Sequence, residues 1–65
     1  MLTIGIRATE LEFRNLPSDI IEKFKKEYEY KFVKGKNDYY YLGISVSELY
    51  YVLYQLARDY DIELV

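Results

Sequence analysis

The chain contains neither cysteine nor histidine. The first absence excludes disulfide staples and thiolate metal sites. The second removes the commonest metal ligand and the commonest general base near neutral pH. Tryptophan is also missing, and proline and methionine occur once each. The three glycines, Gly5, Gly35 and Gly43, stand apart from one another, so no glycine-rich loop is available to cradle a phosphate. No apolar run approaches the roughly 20 residues of a membrane-spanning helix. Nor does an apolar stretch of about 7–15 residues follow a basic start, as a secretory signal requires. These absences lead us to expect a soluble, cytoplasmic protein with no membrane partner, no metal, no cofactor and no catalytic residues. The acid and base groups that remain (Asp, Glu, Lys, Tyr) are ordinary surface residues. Glu10 and Glu12, two apart, read as solvated carboxylates.

What is present is a chain of 65 residues, 51% hydrophobic, with nine tyrosines and a net charge of −2. Residues 1–65 form one domain by length. A domain of this size buries only about 60% of the surface its unfolded chain exposes. With no disulfide or metal to help, self-association is the expected remedy. The abundance of Tyr, Ile, Lys and Glu, with a single Gln, resembles thermophile usage. Charge is uneven: Lys23 to Lys36 holds six lysines against two glutamates, a net of +4, leaving −6 on the flanks. Such runs are usually solvating.

The clearest element is Ile44 to Tyr60. Ser45 and Glu48 have the spacing of a capping box, and Ile44 and Leu49 that of a hydrophobic staple. Val46, Leu49, Leu53, Leu56 and Tyr60 recur at threes and fours, with Tyr50 and Ala57 beside them, which predicts a helix packed on that stripe. Ser47, Tyr51, Gln55, Arg58 and Asp59 lie opposite. Upstream, Leu2, Ile4 and Ile6 alternate as a half-buried strand, after which the apolar phase shifts to Leu11 and Phe13. Either a bulge near Ala8–Glu10 resets the phase, or a turn there starts a short extra strand at 10–14. Pro17, Ser18 and Asp19 open a helix ending near Glu27, with Ser18 able to cap and Ile20, Ile21 and Phe24 buried. Tyr28 to Lys34 and Tyr39 to Ile44 flank the turn residues Gly35 to Asp38 and read as a hairpin. Ile62 and Leu64 suit a last strand.

The order β-α-β-β-α-β predicts an α+β fold, the ferredoxin-like two-layer sandwich: an antiparallel sheet with both helices on one face and strand order fourth, first, third, second. Its open face is expected to show Thr3, Gly5 and Arg7 from the first strand beside Tyr39 and Tyr41 from the third, with Lys31 and Val33 on one flank and Asp61 and Glu63 on the other. We expect a small non-enzymatic binding or regulatory module. It would act by homo-oligomerisation and protein contact through the open face or an edge strand, with Arg7, Lys31, Lys34, Lys36, Tyr39, Tyr41 and Tyr51 at the interface. The alternative is single-stranded nucleic acid, RNA above all, with bases stacked on the tyrosines and phosphates on the Arg and Lys residues. The aromatic pattern that RNA-recognition modules carry on their third strand is absent from Lys34 to Ile44.

Overall fold

A computed structural model describes every residue from Met1 to Val65. Five strands and two helices follow one another: β1 (Leu2–Ile6), β2 (Leu11–Arg14), α1 (Ser18–Tyr28), β3 (Phe32–Lys34), β4 (Tyr40–Leu42), α2 (Val46–Asp59) and β5 (Ile62–Leu64). The chain is a small α+β domain with one sheet of order β3-β4-β2-β1-β5.

The phase shift after β1 is resolved by a turn. The Arg7 amide donates to the Glu10 carbonyl at 2.9 Å, and the chain doubles back as β2, antiparallel to β1 with Ile4 opposite Phe13. The four-stranded, all-antiparallel ferredoxin-like order is therefore corrected. β2 is wedged between β1 and β4, pairing antiparallel with each. One added strand reverses the sense of everything that follows, so β5 runs parallel to β1 and the sheet is mixed.

Alternation then sets the two faces. Leu2, Ile4, Leu11, Phe13, Phe32 and Leu42 are buried in one cluster with Ile20 and Phe24 of α1 and Val52 and Leu56 of α2, so both helices cover the same side. Phe24 is the hub: its ring lies 5.9 Å from Phe13, 5.5 Å from Phe32 and 5.3 Å from Tyr28. Fully burying each such side chain stabilises the fold by about 1.5–3 kcal/mol.

Local readings change in three places. The run from Tyr28 is not a strand until Phe32. α1 reaches Tyr28, a 3-10 turn spans Glu29–Lys31, and Tyr30 points outward at 82% exposure instead of joining the sheet. Pro17, not Ser18, is the N-cap of α1, and no side chain caps there. At α2 the serine cap forms: the Glu48 amide donates to Ser45 Oγ at 3.4 Å, and that hydroxyl lies 3.2 Å from Glu48 Oε1. Of the expected α2 stripe, Leu56 is buried and Leu49, Leu53 and Tyr60 are half-buried against the core, but Val52 completes the buried line, and Val46, Tyr50 and Ala57 are exposed. No helix is long and apolar enough to cross a membrane.

Candidate functional site

The open face of the sheet is organised by a carboxylate. Glu12 sits mid-strand in β2, with Gly5 opposite on β1 and Tyr41 opposite on β4. Although no helix covers it, Glu12 is only 4% exposed. Its neighbours fold over it. Arg7 Nη2 donates to Glu12 Oε1 at 2.9 Å, Arg14 Nη2 to the same oxygen at 3.3 Å, and Tyr41 Oη to Oε2 at 3.1 Å.

Two glycines make the room. A Cβ on Gly5 would stand 3.2 Å from Glu12 Oε1, tighter than ordinary contact. A Cβ on Gly35 would stand 2.3 Å from Cε2 of Tyr41. The carboxylate lies over one backbone and the tyrosine ring over the other.

Burial alone would raise the Glu12 pKa, and it is the largest single influence. The hydrogen bonds from Arg7 and Tyr41, the Arg7 charge and the Arg14 bond together outweigh it and hold the carboxyl below its ordinary value. Tyr41 is pushed the other way, by burial first and then by donating to an anion. The Arg14 guanidinium also lies 4.8 Å from the ring centre of Tyr39. Arg14 Nε is buried without a partner.

Of the residues expected at an interface, Arg7 and Tyr41 meet through Glu12, and Tyr39 joins them through Arg14. Arg7 and Tyr41 are not on neighbouring strands, because β2 separates β1 from β4. Lys31, Lys34 and Lys36 lie at the β3 edge and are exposed, and Lys34 pairs with Asp38 at 3.2 Å. Tyr51 is elsewhere: it lines the cleft between α1 and α2, its hydroxyl accepting from Gln55 Nε2 at 2.9 Å. Sequence reasoning missed Glu12 and Arg14. The one signal was a carboxylate between two buried residues, Leu11 and Phe13, on a short strand flanked by arginines at positions 7 and 14.

A second surface was also missed. On α2, Val46, Tyr50, Leu53 and Ala57 recur at four, three and four residues, the a/d rhythm of a helix-pairing seam. This line runs beside the buried one and meets it at Leu53, which is half-buried against the core. The cleft with α1 is lined by Tyr51, Gln55 and Asp59, so the seam lies on the flank turned away from α1. α1 packs above β3, which leaves α2 over the half of the sheet that ends in β5. Val46, Tyr50 and the neighbouring Tyr54 are 69, 68 and 67% exposed. Leu64, on the helix side of β5 by its register with Ile4, is 55% exposed.

Comparison with known protein families, with curated proteins and with solved structures gives no match. No group of three or more acidic side chains is placed to hold a metal ion.

Proposed function

We propose that this domain is a small binding module without chemistry of its own, which works by associating with a second copy and, so assembled, with another protein. The observation that carries the reading is the uncharged outward seam of α2. A surface helix normally shows one apolar stripe, and a helix that is apolar on two sides is one that is covered on two sides. Val46, Tyr50, Leu53 and Ala57 stand at knob positions, with Tyr54 beside them and no acid or base in the sector.

The size of the patch decides the strength. Those side chains with Leu64 and Ile6, the latter 47% exposed on the helix side of β1 by its register with Leu11, offer roughly 600 Å² per copy, against about 800 Å² per partner for a standard stable interface. A dimer closed on this seam is therefore expected at micromolar concentration or above. The open sheet face is a poorer surface, since Arg7, Arg14 and Tyr41 already cover Glu12. Both edges are blunted: β3 and β5 have three residues each, bordered by Lys31 and Lys34 on one side and by Asp61 and Glu63 on the other.

Sedimentation velocity across a concentration series tests this. Wild type should shift from monomer to dimer, Tyr50→Glu should stay monomeric, and the Tyr39→Ala/Tyr41→Ala pair should still dimerise. A monomeric wild type at millimolar concentration removes the reading. Loss of dimer only in the Tyr39/Tyr41 pair would return the contact to the open face. Nucleic acid is the weaker reading, because the tyrosine hydroxyl and both arginines that would engage a strand are turned onto Glu12. Salt-sensitive retention of mixed oligonucleotides would restore it.

A further inference from the structure

The cleft between α1 and α2 is independent of that seam and faces the opposite flank of α2. It encloses about 220 Å³. That is below the roughly 300–1,000 Å³ of sites that enclose a whole ligand, and it suits one compact head group. Its floor is apolar, formed by Phe24, Val52 and Leu56. Its walls carry three tyrosines, Tyr28 and Tyr51 together at one end and Tyr60 at the other, about 13 Å further along α2. Two of these are held by their hydroxyls: Tyr51 accepts from Gln55 Nε2 at 2.9 Å, and Tyr60 donates to Asp19 Oδ2 at 2.9 Å.

Charge at the rim is mostly negative. Glu27 and Asp59 line the cleft against one base, Lys23, and Asp19 stands behind Tyr60. Asp59 shares its charge with Arg58 at 3.4 Å. From this combination of aromatic walls, apolar floor and acidic rim, we propose that the cleft is a binding site for a small free alkylammonium ion of the choline type. Methyl groups on the nitrogen meet the floor, the delocalised positive charge meets the aromatic walls, and the carboxylates supply long-range attraction. A bare inorganic cation gains nothing from such a floor, and a neutral apolar group gains nothing from such a rim. The Tyr28 hydroxyl already feels negative charge: burial first, then Glu27 of the rim and Glu48 beyond it, raise its pKa.

The test is a titration of isotopically labelled full-length protein with choline chloride, following backbone amide shifts in α1 and α2. Saturable shifts centred on Tyr28, Tyr51 and Gln55 are expected. The neutral isostere 3,3-dimethylbutan-1-ol should bind about fivefold more weakly or worse. Phosphocholine, whose phosphate opposes the acidic rim, should also be weaker than choline, which separates a free cation from a lipid head group. Lys23→Gln should tighten choline about twofold by removing the one opposing charge. Tyr51→Ala, at an exposed position, should weaken it several-fold without unfolding the domain. The proposal is overturned by shifts that do not saturate, by equal affinity for the isostere, by tighter binding of phosphocholine, or by shifts clustered on β2 and β4 instead. A Tyr51→Ala variant that remains folded and binds as well as wild type also overturns it.

Discussion

Gly35→Ala probes the open face with a single methyl group. The backbone at Gly35 has φ −103°, which alanine adopts freely, so any penalty comes from contact and not from strain. The new Cβ would lie 2.3 Å from Cε2, 3.0 Å from Cδ2 and 3.4 Å from Cζ of Tyr41. Carbon atoms at rest approach to about 3.5–4.0 Å, so the ring must retreat by more than 1 Å, by roughly that difference. Its hydroxyl starts 3.1 Å from Glu12 Oε2, near the limit of a useful hydrogen bond, so a shift of the ring re-aims that contact. Overpacking of this kind costs about 1–3 kcal/mol. Restricting the unfolded chain by replacing glycine returns about 0.4–1 kcal/mol. The net expectation is a loss of about 1–2 kcal/mol, which in a domain this small lowers Tm by roughly 5–15 °C.

Thermal denaturation followed by circular dichroism measures it, and a double-mutant cycle isolates the cause. In a Tyr41→Ala background the methyl group has no ring to meet, so Gly35→Ala should become neutral or slightly stabilising. A coupling of about 1–2 kcal/mol follows. An equal loss in both backgrounds, or none in either, would refute the seating of Tyr41 over Gly35 and with it the geometry that closes over Glu12.

Other expectations follow from the same structure. The folded-state pKa of Glu12 lies below its ordinary value of 4.5, so its ion pairs contribute stability above that value and lose it as the pH falls further. Acid titration of wild type should show this loss below about pH 4.5, and Glu12→Gln should be less stable at neutral pH with a flatter acid limb. Glu29 ends α1 at φ 49°, ψ −119°, a conformation that favours glycine. Glu29→Gly should therefore raise stability by roughly 1 kcal/mol in denaturant unfolding, where an unremarkable surface site would give a loss or no change. Ser45→Ala removes the one side-chain helix cap and should cost about 1 kcal/mol, with the change visible first as fraying of amide protection at Val46 to Glu48.

Much of the architecture was legible in the residues because period and capping are local. The alternation of Leu2, Ile4 and Ile6, the serine cap at Ser45 and the turn chemistry around Gly35 each act over a few residues, and each element forms. The phase shift at Leu11 and Phe13 was legible too, but it permits a bulge or a turn, and only the pairing of β2 back onto β1 decides between them. That one decision changes the topology: a fifth strand in the middle of the sheet turns β5 parallel to β1. Tyr30 misled for a different reason. Alternation continues through a 3-10 turn as readily as through a strand, and the three-residue turn put the ring outside the sheet. On α2 two apolar rhythms share residues: Leu49, Leu53, Leu56 and Tyr60 of the expected stripe face the core, while Val46 and Tyr50 fall outside it and Val52 takes their place. Glu12 was hidden most deeply, since a carboxylate on a short strand looks solvated until the two arginines and the tyrosine that close over it are located in space.

The most direct test of the self-association account is an isotope-filtered NOE measurement on an equal mixture of labelled and unlabelled protein at millimolar concentration. The account predicts cross-peaks between copies at Val46, Tyr50, Leu53 and Ala57, and none at Tyr41 or Arg7. Cross-peaks confined to the Glu12 face, or none between copies at any concentration reached, would contradict it.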